Sequence, residues 1–218
     1  MALPLWNLWG LYNMCSNWYK KAEFEFQMGD TYDEEDLKYI DQYSNKGPVQ
    51  KYLATIAMMR RKMGGPEGYH YSSPEEFLLQ EGKEYQSQPL TDDEIEYLKS
   101  LQHETVRYRM KECFYNAQSL SMCSSKIRYA EGYLFSGMIP VEHGWSVFNG
   151  KVLDFTMAHS NDNEPILGVI PEGWEYFGVE LPTKSIRSHW SSYGESNPLI
   201  TNYRDRFPLL KEKFQPQD

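Results

Sequence analysis

Cysteine is scarce in this chain, and that scarcity excludes two common ways of stabilising a protein. Only 3 cysteines are present, Cys15, Cys113 and Cys123. An odd number without CxxC spacing builds neither a disulfide framework nor a cysteine zinc site, so a reducing, cytoplasmic setting is expected. Positive charge is short as well, with 22 Lys and Arg against 31 Asp and Glu, a net charge of −9. No basic run interleaves with aromatics, which excludes a surface that tracks nucleic-acid phosphates. Long hydrophobic runs are missing too: none approaches the roughly 18 apolar residues of a membrane span. The apolar start, MALPLWNLWGLYNMC, lacks a basic leader and a small-residue cleavage site. It reads as a structural helix, because Leu3, Leu5, Trp6, Trp9 and Tyr12 fall near helical spacing.

What is present is enough apolar material, 40% hydrophobic and 15% aromatic over 218 residues, for one full core with an appendage. Residues 1–105 read as a mainly helical N-terminal region packed on a core formed by residues 106–218. Ser73, Pro74 and Glu76 have the offsets of an N-cap, a first-turn proline and a capping-box acid. Thr91 and Glu94 repeat the box before a helix expected to run to about Arg109. A third helix, Val49 to Met63, carries Leu53, Ile56, Ala57 and Met63 on one side, and its Arg60, Arg61 and Lys62 read as a solvated C-terminal turn. From Lys111 a short helix is followed by β-branched and aromatic runs at 127–135, 143–148, 151–156 and 175–181, each a predicted strand. Residues 159–165 read as a polar surface connection. Helices first and strands later predict an α+β fold rather than alternating βαβ units.

Asn149-Gly150 between two apolar strands is a strong signal for a type I′ hairpin, whose two central residues need positive φ. A two-residue loop pairs Phe148 with Lys151, Val147 with Val152, Trp145 with Asp154 and His143 with Thr156. His143, Trp145, Asp154 and Thr156 then share one face of the sheet. His143 and Asp154 become diagonal neighbours, roughly 7 to 8 Å apart or less at Cβ, which an imidazole and a carboxylate can bridge. A slip of one residue would send Asp154 to the other face.

Cys113 opens the segment CFYNAQSLSM. At a helix start the dipole and the unpaired N–H groups favour a thiolate, the nucleophilic form. The competing reading is a buried stripe, since Cys113, Ala117 and Leu120 stand at i, i+4 and i+7. Cys123 at the far end of the same helix and Cys15 in the apolar N-terminal segment read as inert. A metal site built on His143, His159 and Asp154 or Asp162 fits no standard zinc spacing. No metal and no other cofactor is expected.

The order CFYNA (113–117), YAEGY (129–133), HGW (143–145) and VLDFT (152–156) resembles the transglutaminase-like branch of the papain-like fold. That branch carries a cysteine at a helix start, a strand with a terminal glycine, a His-Ala-Trp strand and an Asp-Pro-Thr strand. The series is also similar to that of uncharacterised phage and bacterial proteins, for which the setting would be the host cytoplasm. It spans about residues 111–182. Gly144 and Phe155 depart from the pattern, at positions that carry no reacting group. The resemblance implies a helix bearing the cysteine packed on an antiparallel sheet, with Cys113 as nucleophile, His143 as base and Asp154 as orienter.

Such a triad would attack an amide or ester carbonyl of a protein or peptide and pass through a thioester. The expected activity is that of a thiol hydrolase or peptidase. A transglutaminase or deamidase uses the same groups, and a non-catalytic binding module retaining the fold is a third reading. The Cys113 N–H and the Gln102 side chain are candidate oxyanion donors. Trp145 is expected beside the site or in the sheet core, Glu131 lining the cleft or on an exposed sheet surface, and Asn116 as a hydrogen-bonding support.

Overall fold

The computed structural model of the chain describes residues 33–102, 108–159, 164–194 and 196–215. The apolar N-terminal segment with Cys15, the Gln102 side chain and Asp162 lie outside the described residues. The chain divides into two compact units, Met1–Lys38 and Tyr39–Asp218. The sheet, Cys113, His143 and Asp154 all belong to the second unit.

Among the described residues the helices are α1 (Glu34–Asp41), which straddles the boundary, α2 (Pro48–Lys62), α3 (Pro74–Glu81), α4 (Asp92–Gln102), α5 (Cys113–Cys123) and α6 (Thr183–Tyr193). The strands are β1 (Lys83–Tyr85), β2 (Ile127–Phe135), β3 (Val141–Phe148), β4 (Lys151–His159), β5 (Glu164–Leu167) and β6 (Glu175–Leu181). All pair antiparallel in the order β1-β6-β2-β3-β4-β5. The fold is therefore α+β, as the helix-then-strand order predicts.

Cap chemistry sets two of the helix starts. Ser73 accepts from the Glu76 N–H at 3.1 Å with Pro74 in the first turn. The acid of this box reaches one residue further than expected, accepting from Ser72 N–H at 2.7 Å rather than from the cap itself. Thr91 and Glu94 form the reciprocal box, at 3.3 and 2.8 Å. The described part of the helix after Thr91 runs to Gln102, and the expected end, Arg109, stands in non-helical backbone. The basic end of α2 is not simply solvated. Arg60 pairs with Glu75 at 3.0 Å and Arg61 with Glu76, so the last turn of α2 meets the acidic first turn of α3. The buried side of α2 is Val49, Leu53, Ala54, Ala57 and Met58, while Met63 is exposed.

The two faces of the sheet build different cores. Tyr129 and Tyr133 of β2 and Phe177, Val179 and Leu181 of β6 pack with Val49 and Leu53 of α2, Phe77 of α3, Ala117 of α5 and Ile186 of α6. The opposite face gathers Tyr85, Ala130, Trp145, Val147, Val152, Ile166 and Tyr176. Tyr85 and Ile166 come from the two edge strands, so the sheet curls until its edges approach. The Gln88 N–H closes the curl by donating to the Gly168 carbonyl at 2.8 Å. β5 begins at Glu164, inside the stretch expected to be a surface connection. Four residues are too short to register as a strand, and pairing with β4 recruits them.

Candidate active site

The Asn149-Gly150 turn forms with φ of 51° and 80°, and Phe148–Lys151, Val147–Val152 and Ser146–Leu153 pair as a two-residue loop requires. The expected continuation, Trp145 with Asp154 and His143 with Thr156, does not form. The β3–β4 ladder ends at Ser146–Leu153. The cause lies in Asp154 itself: its Oδ1 accepts from the N–H groups of Thr156 at 2.9 Å and Met157 at 3.1 Å, which folds the backbone back on the side chain. On its other side β4 pairs Asp154 with Ile166 and then Ala158 with Pro165, so the residues between are bulged out of the ladder.

Asp154 keeps its face despite the bulge, because the bulge begins after it. Its Oδ2 takes the Nε2 of His143 at 2.5 Å. Both side chains are buried, at 4% and 2% exposure, in a core otherwise made of Trp145 and Tyr176. Oδ2 also accepts from the Tyr176 hydroxyl at 2.9 Å, which makes 4 donors on one carboxylate. Burial would push Asp154 upward, yet the His143 charge and these bonds hold it below the ordinary carboxylate range. Burial would likewise lower His143. The charge and hydrogen bond of Asp154, followed by a hydrogen bond and charge from Cys113, outweigh it and raise the imidazole to about 10.

With Nε2 engaged by Asp154, Cys113 approaches the same imidazole closely enough to add to its upward shift. The separation of β3 from β4 makes this approach feasible. Gly144 and Ser146 face α5, where Ser146 Oγ donates to the Ala117 carbonyl at 3.1 Å, whereas His143 and Trp145 alternate to the other face. A continuous ladder would screen the helix from the imidazole. Beyond Ser146 the strands part instead around a gap too small to admit a water, lined by Asn116, Gly144, Ser146, Leu153, Asp154 and Thr156, with neither Cys113 nor His143 on its wall. The helix sits close there: a Cβ on Gly144 would lie 2.9 Å from Phe114 Cδ1 and 3.3 Å from Phe114 Cα.

Local chemistry places the sulfur. Lys111, at φ 63°, turns the chain into α5. Glu112 at the N-cap makes no side-chain cap bond, which leaves the first-turn N–H groups without that partner beside the half-buried Cys113. Buried Asn116 secures the approach. Its Oδ1 accepts from Arg109 N–H at 2.7 Å, and its Nδ2 donates to the Arg109 carbonyl at 2.8 Å and to Thr156 Oγ1 at 2.7 Å. It thereby ties the turn before Cys113 to the bulge after Asp154, the supporting role expected of it. Ala117 and Leu120 are buried, so the i, i+4, i+7 stripe is real and Cys113 stands at its more accessible end.

Of the other supporting residues, Trp145 takes the core role expected of it and Glu131 does not. Trp145 is a core aromatic, fully buried and edge-on to Tyr85 and Tyr176 at 5.3 Å each. Glu131 is neither a cleft-lining nor an exposed acid. It is 3% exposed and accepts from the Tyr129 hydroxyl at 2.7 Å and from the N–H groups of Leu199 at 2.7 Å and Ile200 at 2.8 Å. Burial raises it to about 7 against those donors. Its work is to hold the 199–200 segment against β2. Cys123 is exposed at the C-terminal end of α5.

Sequence reasoning missed Tyr176, because nothing local reveals that β6 pairs beside β2 and brings its tyrosine to the Asp154 carboxylate. Among the described residues no helix is long and apolar enough to cross a membrane, and no cluster of three or more His, Cys, Asp or Glu is arranged to hold a metal ion. No family model, curated protein or solved structure matches the chain.

Proposed function

We propose that this chain is a cysteine-dependent acyl-transfer enzyme with a transglutaminase-like, papain-like core, acting as a thiol hydrolase on the amide bonds of a protein or peptide. The supporting observation is the buried His143–Asp154 pair, 2.5 Å apart, with Cys113 at a helix start close enough to the same imidazole to help raise it. A carboxylate on Nε2 stabilises the imidazolium, and the imidazolium stabilises a thiolate.

The thiolate attacks the carbonyl carbon, forming the C–S bond as the carbonyl electrons move to oxygen. First-turn N–H groups of α5, that of Cys113 among them, would serve as donors to this oxyanion. Collapse expels the amine, which leaves with the His143 proton, and a thioester remains. Water then attacks the thioester and gives its proton to His143. The acid departs, and the proton stays on the imidazole as the thiolate is restored.

The test is capture of the thioester. Incubation with p-nitrophenyl acetate at neutral pH is expected to add one acetyl group to Cys113, seen by peptide mass spectrometry, and to release p-nitrophenol in a burst. Cys113→Ser and His143→Ala should abolish both. An acetyl group found equally on Cys123, or a burst that survives in Cys113→Ser, would refute the proposal. Adding a primary amine separates transfer from hydrolysis: an acyl amide product identifies the transglutaminase-type reaction.

A further inference from the structure

Tyr176 is a fourth polar group at this site, and none of the sequence motifs includes it. It comes from β6, two strands from β3, and is fully buried. Its hydroxyl donates to Asp154 Oδ2 at 2.9 Å, the same oxygen that takes His143 Nε2. Its ring stands edge-on to Trp145 at 5.3 Å and lies 6.1 Å from the His143 ring. A core position on that face could be filled by phenylalanine, because ring packing alone requires no hydroxyl. Among the described residues, the hydroxyl finds its partner only on the carboxylate.

We infer that Tyr176 is a positioning residue of the thiol site: its phenol fixes the rotamer of Asp154 and shares the charge on Oδ2, and so limits how strongly the carboxylate holds the His143 proton. The inference rests on the triad reading above. Two donors on one oxygen compete for its charge, and a bond to an ionised acceptor is among the stronger hydrogen bonds. Removing the phenol leaves more of the Oδ2 charge to His143. The imidazolium then gives up its proton at higher pH. Among the described residues, the titratable groups near His143 are Asp154 from β4, Cys113 from α5 and Tyr176 from β6. Tyr85 of β1 packs against Trp145 with its hydroxyl toward Glu180 at 3.4 Å, away from the carboxylate.

That geometry supplies a control for a merely structural role. The rate of Cys113 alkylation by iodoacetamide is measured from pH 5 to 11 in the wild-type chain, Tyr176→Phe and Tyr85→Phe. In the wild type the rate rises a second time where His143 loses its proton, since a thiolate without its imidazolium partner is the stronger nucleophile. Tyr176→Phe is expected to move that second rise upward by up to about one pH unit, the portion of a charged hydrogen bond that passes to the partner. Tyr85→Phe should leave it in place while lowering stability comparably. Coincident curves for wild type and Tyr176→Phe overturn the inference. Should Tyr176→Phe fail to fold, 3,5-difluorotyrosine placed at position 176 keeps the ring and makes the phenol a stronger donor, and the second rise must then move downward. An unmoved rise there also overturns the inference. A wild-type curve identical to that of His143→Gln refutes the triad reading underneath and leaves no doubt which of the two has failed.

Discussion

Replacing Asp154 with asparagine probes the pair on which the site is built. Asparagine keeps the volume and can still accept from the Thr156 and Met157 N–H groups, so the bulge survives, but it removes the charge beside His143 Nε2. In the native protein the imidazole is raised from 6.5 to about 10 although burial opposes it. At about 1.4 kcal/mol per pH unit, the imidazolium is favoured by an amount on the order of 5 kcal/mol. With the carboxylate gone, burial is left to act and the imidazole falls below 6.5. The imidazolium fraction at pH 7 then drops from nearly all to below about a quarter. Without a cationic partner Cys113 loses the charge that favours its thiolate, so its alkylation at pH 7 should slow by roughly tenfold or more. The sign of the stability effect follows from the raised imidazole. Its contribution is fully present below pH 6.5 and is lost as pH rises through 10. Urea unfolding at pH 7 and pH 10 should show the wild-type chain losing stability between the two, and Asp154→Asn losing much less. Equal alkylation rates in wild type and variant, together with parallel unfolding at both pH values, would refute the reasoning.

Three further outcomes follow from the geometry. Gly144→Ala places a methyl 2.9 Å from Phe114 Cδ1 and close to its backbone, so it should cost about 1–3 kcal/mol and slow Cys113 alkylation by pushing α5 from the strand; calorimetry and the alkylation rate check both parts. Asn116→Ala leaves the Arg109 backbone and Thr156 without their bonds, and should lower stability in urea unfolding by about 1–3 kcal/mol while slowing the same alkylation. For Glu131, raised to about 7 from 4.5 by burial, the native state binds the extra proton between those values, so stability falls as pH rises through that window. The difference in unfolding free energy between wild type and Glu131→Gln should therefore change by about 3 kcal/mol between pH 4.5 and 7, and a constant difference would contradict the assignment.

The parts of this site that could be read from sequence are those whose chemistry is local. The Asn149-Gly150 turn needs only two residues to set the register that brings His143 and Asp154 to one face, and the N-caps at Ser73 and Thr91 need only four each. The same local logic broke down after Leu153. The Asp154 side chain competes with the ladder for the next two N–H groups, and a register extended by alternation takes no account of that competition. Long-range pairings were out of reach. β1 is a three-residue strand recruited by β6, and Tyr176 meets Asp154 only because β6 pairs with β2. Glu131 was misjudged for the same reason: its partners, Leu199 and Ile200, lie nearly 70 residues away and bury a carboxylate that alternation alone leaves facing either the cleft or solvent. The resemblance supplied Cys113 as nucleophile, since the i, i+4, i+7 spacing by itself describes a buried stripe equally well.

The central claim is the proposal that Cys113 is a nucleophile activated by His143. Brief labelling with iodoacetamide at pH 6, followed by peptide mass spectrometry of Cys15, Cys113 and Cys123, tests it most directly. An ordinary thiol near 8.5 is ionised to well under about 1% at that pH, whereas an ion-paired one reacts as the thiolate. The account predicts that Cys113, though half-buried, is labelled first and that His143→Ala abolishes its lead. Exposed Cys123 reacting as fast as Cys113, or a lead that persists in His143→Ala, would contradict it.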